Sequence, residues 1–263
     1  MEQPQAIRSP WAARRRRAER LRERHPFAAE VLTLHLSLLD VQEPAFEAAR
    51  GLLPESALAR ARELLPRVID VTVASGPGKL GESAVARYHS ADLDDLLGRW
   101  LRDAEQSLVD RYLARATWSP LLEGMEPPGL AVLCAAGERE GSRCPACGGP
   151  PQVGFFALSG EALVTGPRHL VCARCARDWV HPRMLCPGCG EQTGARLPVY
   201  SEADRFPHLR IDACETCRRY VLAVDLRKDA EAVPIVDELA ALPLDLYARE
   251  RDLRKVVPNL MGF

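Results

Sequence analysis

No stretch of the 263-residue chain is both long and apolar enough to cross a bilayer. The apolar run over residues 27–39 is too short and carries Glu30 and His35. An export signal is not expected either. Arg14-Arg15-Arg16-Arg17 invites a twin-arginine reading, but Ala18, Glu19, Arg20, Leu21 and Arg22 follow where an apolar segment is required. These arginines are expected on the solvated face of an opening helix, and the chain is expected in the cytoplasm without membrane insertion. A net charge is lacking too: the formal value is −1, so the whole molecule has no electrostatic reason to bind nucleic acid. Residues 144–220 carry nine basic and seven acidic side chains, and aromatics are 6% of the chain. That near-balance does not supply the basic, aromatic-bearing face of a nucleic-acid-binding ribbon. The glycine-rich segment over 75–81 lacks the Gly-x-x-x-x-Gly-Lys-Ser/Thr arrangement of a phosphate loop. No flavin, haem or nucleotide motif and no nucleophile–base constellation stands out, so no catalytic residue is assigned and an enzyme is not expected.

What the chain does have is nine cysteines, eight of them in four Cys-x-x-Cys knuckles. These are Cys144-Pro-Ala-Cys147, Cys172-Ala-Arg-Cys175, Cys186-Pro-Gly-Cys189 and Cys214-Glu-Thr-Cys217. The first pair of knuckles repeats at an interval of 42 residues, and 24 residues separate the knuckles in each half. Two thiolates three positions apart on a tight turn grip a metal from one side, and a second knuckle returned by a hairpin closes a tetrahedral sulfur site. Two metal ions, each bound by four cysteines, are therefore expected. A disulfide framework suits short secreted chains, whereas this one has 47% hydrophobic residues and enough length for its own core. A thioredoxin-like redox reading needs one motif at a helix start, not four at ligand spacing. Consecutive knuckles give two equal modules, although crossed pairing, with the first and third sharing a metal, stays open. Thiolate tetrahedra accept iron and zinc alike. Cys134, in an apolar run, is expected as an inert core residue.

Residues 9–137 have a helical pattern. Ser9-Pro10 is a helix start, and that helix should end near Arg24 before His25-Pro26. A second helix is expected over 27–41 and shorter ones over 43–50 and 55–65. Ser90 is expected to cap a long helix whose Leu93, Leu97, Leu101, Leu108 and Tyr112 share a side, with Asp92, Asp94 and Asp95 in its first turn. A last apolar helix should end near 137, and residues 138–143 form a linker. From 144 onward, β-like runs are expected over 153–158, 169–171, 196–200 and 220–226. Each half should be a small antiparallel ribbon that depends on metal for much of its stability. A final helix is expected over 235–251, kinked at Pro243. Asp237, Glu238 and Asp245 fall on it, where an exposed acidic face is the plain physical expectation.

These residues resemble a known family. Cys144-Pro-Ala-Cys147-Gly-Gly-Pro, Arg168-His-Leu-Val-Cys172-Ala-Arg-Cys175, then Trp179 and Arg183 ahead of Cys186, are similar to the formate dehydrogenase accessory protein FdhE family. So are Cys214-Glu-Thr-Cys217-Arg-Arg-Tyr220 and the segment from Asp237 to Asp245. The likeness is specific from 144 to about 250 and looser in the N-terminal part, at Glu19-Arg-Leu-Arg22 and His25-Pro26. It departs where Val180 follows Trp179, with His181 one place later, and at Pro258-Asn259, where the family has Asn-Pro.

The resemblance implies an α+β chain: an α-helical domain over 1–140, rubredoxin-like or zinc-ribbon-like modules over 141–182 and 183–228, and a C-terminal helical segment over 229–263. It implies iron at Cys144, Cys147, Cys172, Cys175 and at Cys186, Cys189, Cys214, Cys217. It also implies a cytoplasmic assembly chaperone that recognises the catalytic subunit of formate dehydrogenase before export, with Asp237, Glu238 and Asp245 as candidate partner residues. His169 and His181, close to cysteines, are expected to hydrogen-bond near the sites and not to ligate. Two other readings are a nucleic-acid-binding zinc-ribbon protein and a rubredoxin-like electron-transfer protein.

Overall fold

The computed structural model describes residues 10–134, 142–157 and 166–262. The Ser9 cap, the helix end expected near 137, residues 138–141 of the linker and the last position of the 153–158 run lie outside them. Helices α1 (Pro10–Arg24), α2 (Ala29–Ala48), α3 (Pro54–Ser75), α4 (Gly78–Ser90), α5 (Leu93–Leu101), α6 (Leu108–Gly124) and α7 (Pro127–Leu133) build the N-terminal part. Strands β1 (Pro151–Phe156), β2 (Arg168–Cys172), β3 (Asp178–His181), β4 (Val199–Ser201), β5 (Leu209–Cys214) and β6 (Arg219–Asp225) follow. Then come α8 (Pro234–Ala240), α9 (Leu242–Arg249) and the short β7 (Arg254–Lys255).

Several helices differ from the periodic pattern for local reasons. Pro44 and Pro66 lie within α2 and α3, which run on through them, so the helices are longer than expected. The long helix expected from residue 90 is two helices. Asp92, not Ser90, caps α5, its carboxylate accepting from the amides of Asp94 and Asp95 at 2.9 and 3.1 Å. Asp103, at φ +54°, sits in the break, and Ser107 caps α6. Residues 78–90 are helical although Gly78 and Gly81 both fall in the first turn. The kink expected at Pro243 is a full break between α8 and α9.

The two ribbons are not separate. β1–β2–β3 and β4–β5–β6 are each antiparallel, and β1 joins β6 in parallel, Gly154 opposite Ala223 and Phe156 opposite Asp225. One sheet thus runs β3-β2-β1-β6-β5-β4, with β7 beside β6. At Gly154 an added Cβ would stand 3.4 Å from the carbonyl of His169 and 3.6 Å from Ala223, ordinary van der Waals contact, so nothing in the strand's surroundings demands glycine there. Helical and sheet parts share one core: Leu113, Trp118 and Leu122 pack in the same buried cluster as Cys144, Cys147, Cys172 and Cys175. Trp118 is fully buried and donates its ring N–H to the carbonyl of Leu97 at 3.0 Å.

A buried ionic network ties the parts together. Arg17 of α1 grips Asp237 of α8, and its guanidinium lies 2.8 Å from Asp229. His208 meets the Asp237 carboxylate at 2.8 Å. Glu238 accepts from Gln152 at 2.6 and 2.8 Å and from Lys255 at 2.7 Å. Arg115 of α6 binds Gln152, and Asp245 meets Lys255 and Tyr220 at 3.1 and 2.7 Å. Asp237, Glu238 and Asp245 are thus 1%, 2% and 4% exposed, which corrects the acidic-face expectation and their assignment as partner residues. A buried carboxylate is retained only with such partners.

Removing one member strands the others without water. Asp237→Ala is expected to cost about 3–5 kcal/mol of unfolding free energy by denaturant titration; a loss within the surface-substitution range would contradict this. His35 is buried with neither ring nitrogen hydrogen-bonded, and burial, then nearby Arg14 and Arg15, lowers its pKa to about 3. Below the ordinary value of 6.5 the unfolded chain gains a proton that the folded one refuses, so stability falls with falling pH. The slope from this residue is at most about 1.4 kcal/mol per pH unit. His35→Leu should flatten the stability profile between pH 6.5 and 5, and an unchanged slope would count against the assignment.

Candidate metal centres

Each knuckle is built the same way. In the first, the amide of Gly148 returns to the carbonyl of Cys144 at 2.9 Å, and in the third, Gly190 to Cys186 at 3.0 Å. The residue after the second cysteine is left-handed in all four: Gly148 (φ +68°), Ala176 (+55°), Gly190 (+77°) and Arg218 (+56°). Glycine takes that conformation without cost, while alanine and arginine are held in it by the turn. Backbone amides then point at sulfur: Gly149 N to Cys147 Sγ at 3.4 Å, Arg174 N to Cys172 Sγ at 3.3 Å and Gly188 N to Cys186 Sγ at 3.3 Å.

Consecutive knuckles come together. Cys144, Cys147, Cys172 and Cys175 form one group and Cys186, Cys189, Cys214 and Cys217 another, the four sulfurs of each within 4.8 Å of one another. Crossed pairing does not occur. In the first group, contacts are 3.7 Å for Cys144–Cys175, 3.3 Å for Cys147–Cys172 and 3.5 Å for Cys147–Cys175. In the second they are 3.8 Å for Cys186–Cys217 and 3.7 Å for Cys189–Cys214. All eight cysteines are free, and the separations far exceed the roughly 2.05 Å of a disulfide. A tetrahedron with metal–sulfur bonds of about 2.3 Å has edges of about 3.8 Å, so both groups fit a four-thiolate ion.

The electrostatics lead to the same donor set. Hydrogen bonds from Cys147, Cys172 and Cys175 depress the thiol pKa of Cys144, whereas contact with Cys134 and Cys144 pushes Cys147 up to about 12. Burial raises Cys172 and also Cys186, the latter to about 11. Left to themselves, the clustered thiols resist full ionisation; a divalent cation reverses that balance. Gly149 is required here because a Cβ would stand 2.7 Å from the sulfur of Cys172.

The groups differ in exposure. All four cysteines of the first are buried, while Cys189 of the second is exposed and Cys217 half-buried. The first group is anchored to the helices by its own second knuckle: Arg174 donates to the carbonyl of Trp100 and pairs with Asp103 at 2.6 Å, and Arg177 donates to Met125 at 2.7 Å. Cys134 is buried in the core as expected, and the neighbouring Cys147 holds its thiol pKa below the ordinary value. His169 meets Asp178 at 2.7 Å and stacks on Phe155, away from either sulfur group. His181 and Arg168 hold the carbonyl of Leu185, at 3.2 and 2.5 Å, directly ahead of Cys186. Arg168, Arg174 and Arg177 were missed as supporting residues. Their adjacency to the knuckles was the available signal.

Residues 184–261 match the family model described as FdhE, C-terminal domain. The chain is 35% identical over 120 residues to "Protein FdhE homolog" of Aquifex aeolicus, a match spanning 46% of this chain and 41% of that protein. It is 28% identical over 291 residues to "Protein FdhE homolog" of Pseudomonas aeruginosa, covering 98% and 91%. The crystal structure of the FdhE protein from Pseudomonas aeruginosa superposes with a TM-score of 0.70 at 24% identity, covering 98% of this chain and 97% of that one, and so shares the fold.

Protein isolated under reducing conditions is expected to carry two ions per chain, matching the two groups, and Cys189→Ser should lose the second. With Cys189 open to solvent, a chelator should strip the second site about tenfold faster or more than the first. Release of both ions in one phase would contradict the exposure argument.

Proposed function

Because residues 184–261 match the FdhE C-terminal domain model and the chain is similar along its length to an FdhE homolog, we propose that it is an FdhE-type assembly and maturation chaperone for formate dehydrogenase, acting in the cytoplasm on the enzyme's catalytic subunit. The observation that carries this reading is the pair of closed four-cysteine groups, the first of them packed into the helical core. With all four positions filled by sulfur, such a site offers no vacancy for substrate, so metal-assisted hydrolysis is not its task. Bound iron or zinc would supply fold stability, and iron could in addition exchange one electron. Cys144, Cys147, Cys172 and Cys175 would hold the first ion, and Cys186, Cys189, Cys214 and Cys217 the second. The protein's own residues hold both groups in place: Arg174 and Arg177 lock the first group to the helices, and His181 and Arg168 fix the loop leading to the second. On this reading the protein is a binding platform and not an enzyme.

The exposed Cys189 also suits a second reading, electron transfer through the second site. The two part on one measurement. Affinity-tagged protein should retain the dehydrogenase catalytic subunit from cell extract under reducing conditions, and Cys186→Ser should weaken that capture. Recovery of unrelated partners in its place would overturn the chaperone reading.

A further inference from the structure

The near-even charge of residues 144–220 conceals an uneven placement. Beside the second cysteine group a cleft of ≈ 700 Å³ runs between helices and sheet, lined by Arg111, Arg143, Arg219, Asp103 and Cys189. It adjoins a cavity of ≈ 170 Å³ through shared walls at Leu185, Pro187, Arg219 and Val256. That cavity is lined by Arg168, Arg183 and Arg210 with Asp212. Six arginines thus face two aspartates, in a chain whose net charge is −1.

Both aspartates are already engaged. Asp103 pairs with Arg143 and Arg174 at 2.7 and 2.6 Å, and Asp212 with Arg168 and Arg210 at 3.2 and 2.8 Å. Arg111, Arg183 and Arg219 have no carboxylate partner among the described residues; Arg183 instead donates from one guanidinium nitrogen to the carbonyl of Gly166 and stacks on Phe156, 4.7 Å from the ring centre. Some arginines elsewhere are paired, Arg14 with Glu123, Arg15 with Asp40 and Arg87 with Asp110, while others among the described residues, such as Arg16, Arg67 and Arg196, form no ion pair, so it is the grouping around a cavity that sets this cleft apart. Between these charged groups the cavity has an aliphatic wall formed by Met184, Leu197, Val199 and Val221, and Met184 and Val199 are 56% and 53% exposed. A merely solvated basic face does not explain an aliphatic cavity at its centre.

We propose that this cleft is the docking surface for an acidic peptide segment of a partner protein. The segment seats one aliphatic side chain in the cavity and lays carboxylates on Arg183, Arg219 and Arg111, passing over Cys189. Guanidinium forks suit carboxylates, and the apolar seat fixes register. The assignment rests on charge and shape, and stands whatever the identity of the client.

Fluorescence anisotropy with a labelled peptide of Asp and Glu carrying leucine at every third position tests it on the metal-loaded, full-length protein. Binding is expected, weakened about tenfold or more when salt rises from about 0.05 to about 0.5 M. Arg183→Glu and Arg111→Glu, on different elements, should each lower affinity about tenfold. Arg60→Glu, on the exposed face of α3, should not, and circular dichroism and metal content confirm folding. No binding at millimolar peptide, equal binding of the lysine-substituted peptide, or indifference to both arginine variants overturns the proposal. Tighter binding of a single-stranded oligonucleotide overturns it in favour of a nucleic-acid face. No dehydrogenase is present in this assay, so its failure is separate from failure of the co-purification.

Discussion

The structure depends on gathering four sulfur atoms in a dry interior, at the junction of the helices and the sheet. Cys144, Cys147, Cys172 and Cys175 belong to the same buried cluster as Leu113, Trp118 and Leu122. Thiols packed at 3.3–3.7 Å cannot all ionise unless a cation balances them. Once balanced, they act as a cross-link between two hairpin ends that bury too little apolar surface to persist alone. Arg174 and Arg177 extend this cross-link into the helices through backbone carbonyls, so the sulfur site and the helical core are one mechanical unit.

The second constraint is ionic. Arg17, Asp237 and His208 form one buried set, and Arg115, Gln152, Glu238, Lys255, Asp245 and Tyr220 another. Such groups add little net stability compared with apolar packing, but they penalise any arrangement in which one is left unpaired. Because the partners come from α1, α6, the sheet and the last helices, they admit one docking of helices on sheet. Acidic residues that an isolated helix would offer to a partner are thereby used for internal specificity.

The two sulfur groups share a design and differ in surroundings. The first lies under helices, while the second sits at the turn that joins β5 and β6, with Cys189 in solvent. Structural permanence falls to the first, and access to the second. The arginine cleft lies on that accessible side.

Much of the site was legible in sequence, since a Cys-x-x-Cys turn is local: four residues, a left-handed fifth position and amides aimed at sulfur specify each knuckle. The 42-residue repeat likewise marked two halves. Helix starts at Pro10 and breaks at His25-Pro26 were equally local. β5 escaped, although Leu209-Arg-Ile-Asp-Ala-Cys214 alternates as a half-buried strand should. β3, four residues with two exposed, carries little periodic signal. The break between α5 and α6 was hidden because Leu101 and Leu108 keep helical phase across it. What the sequence determined by itself was the donor set and the turns that present it, because those interactions span a few residues. Tertiary structure alone decided which knuckles share a site, which site faces solvent, that the two ribbons are one sheet, and that Asp237, Glu238 and Asp245 are buried. Each of these depends on partners far away in the chain, such as Arg17 for Asp237 and Gly154 opposite Ala223, and no local pattern encodes who those partners are.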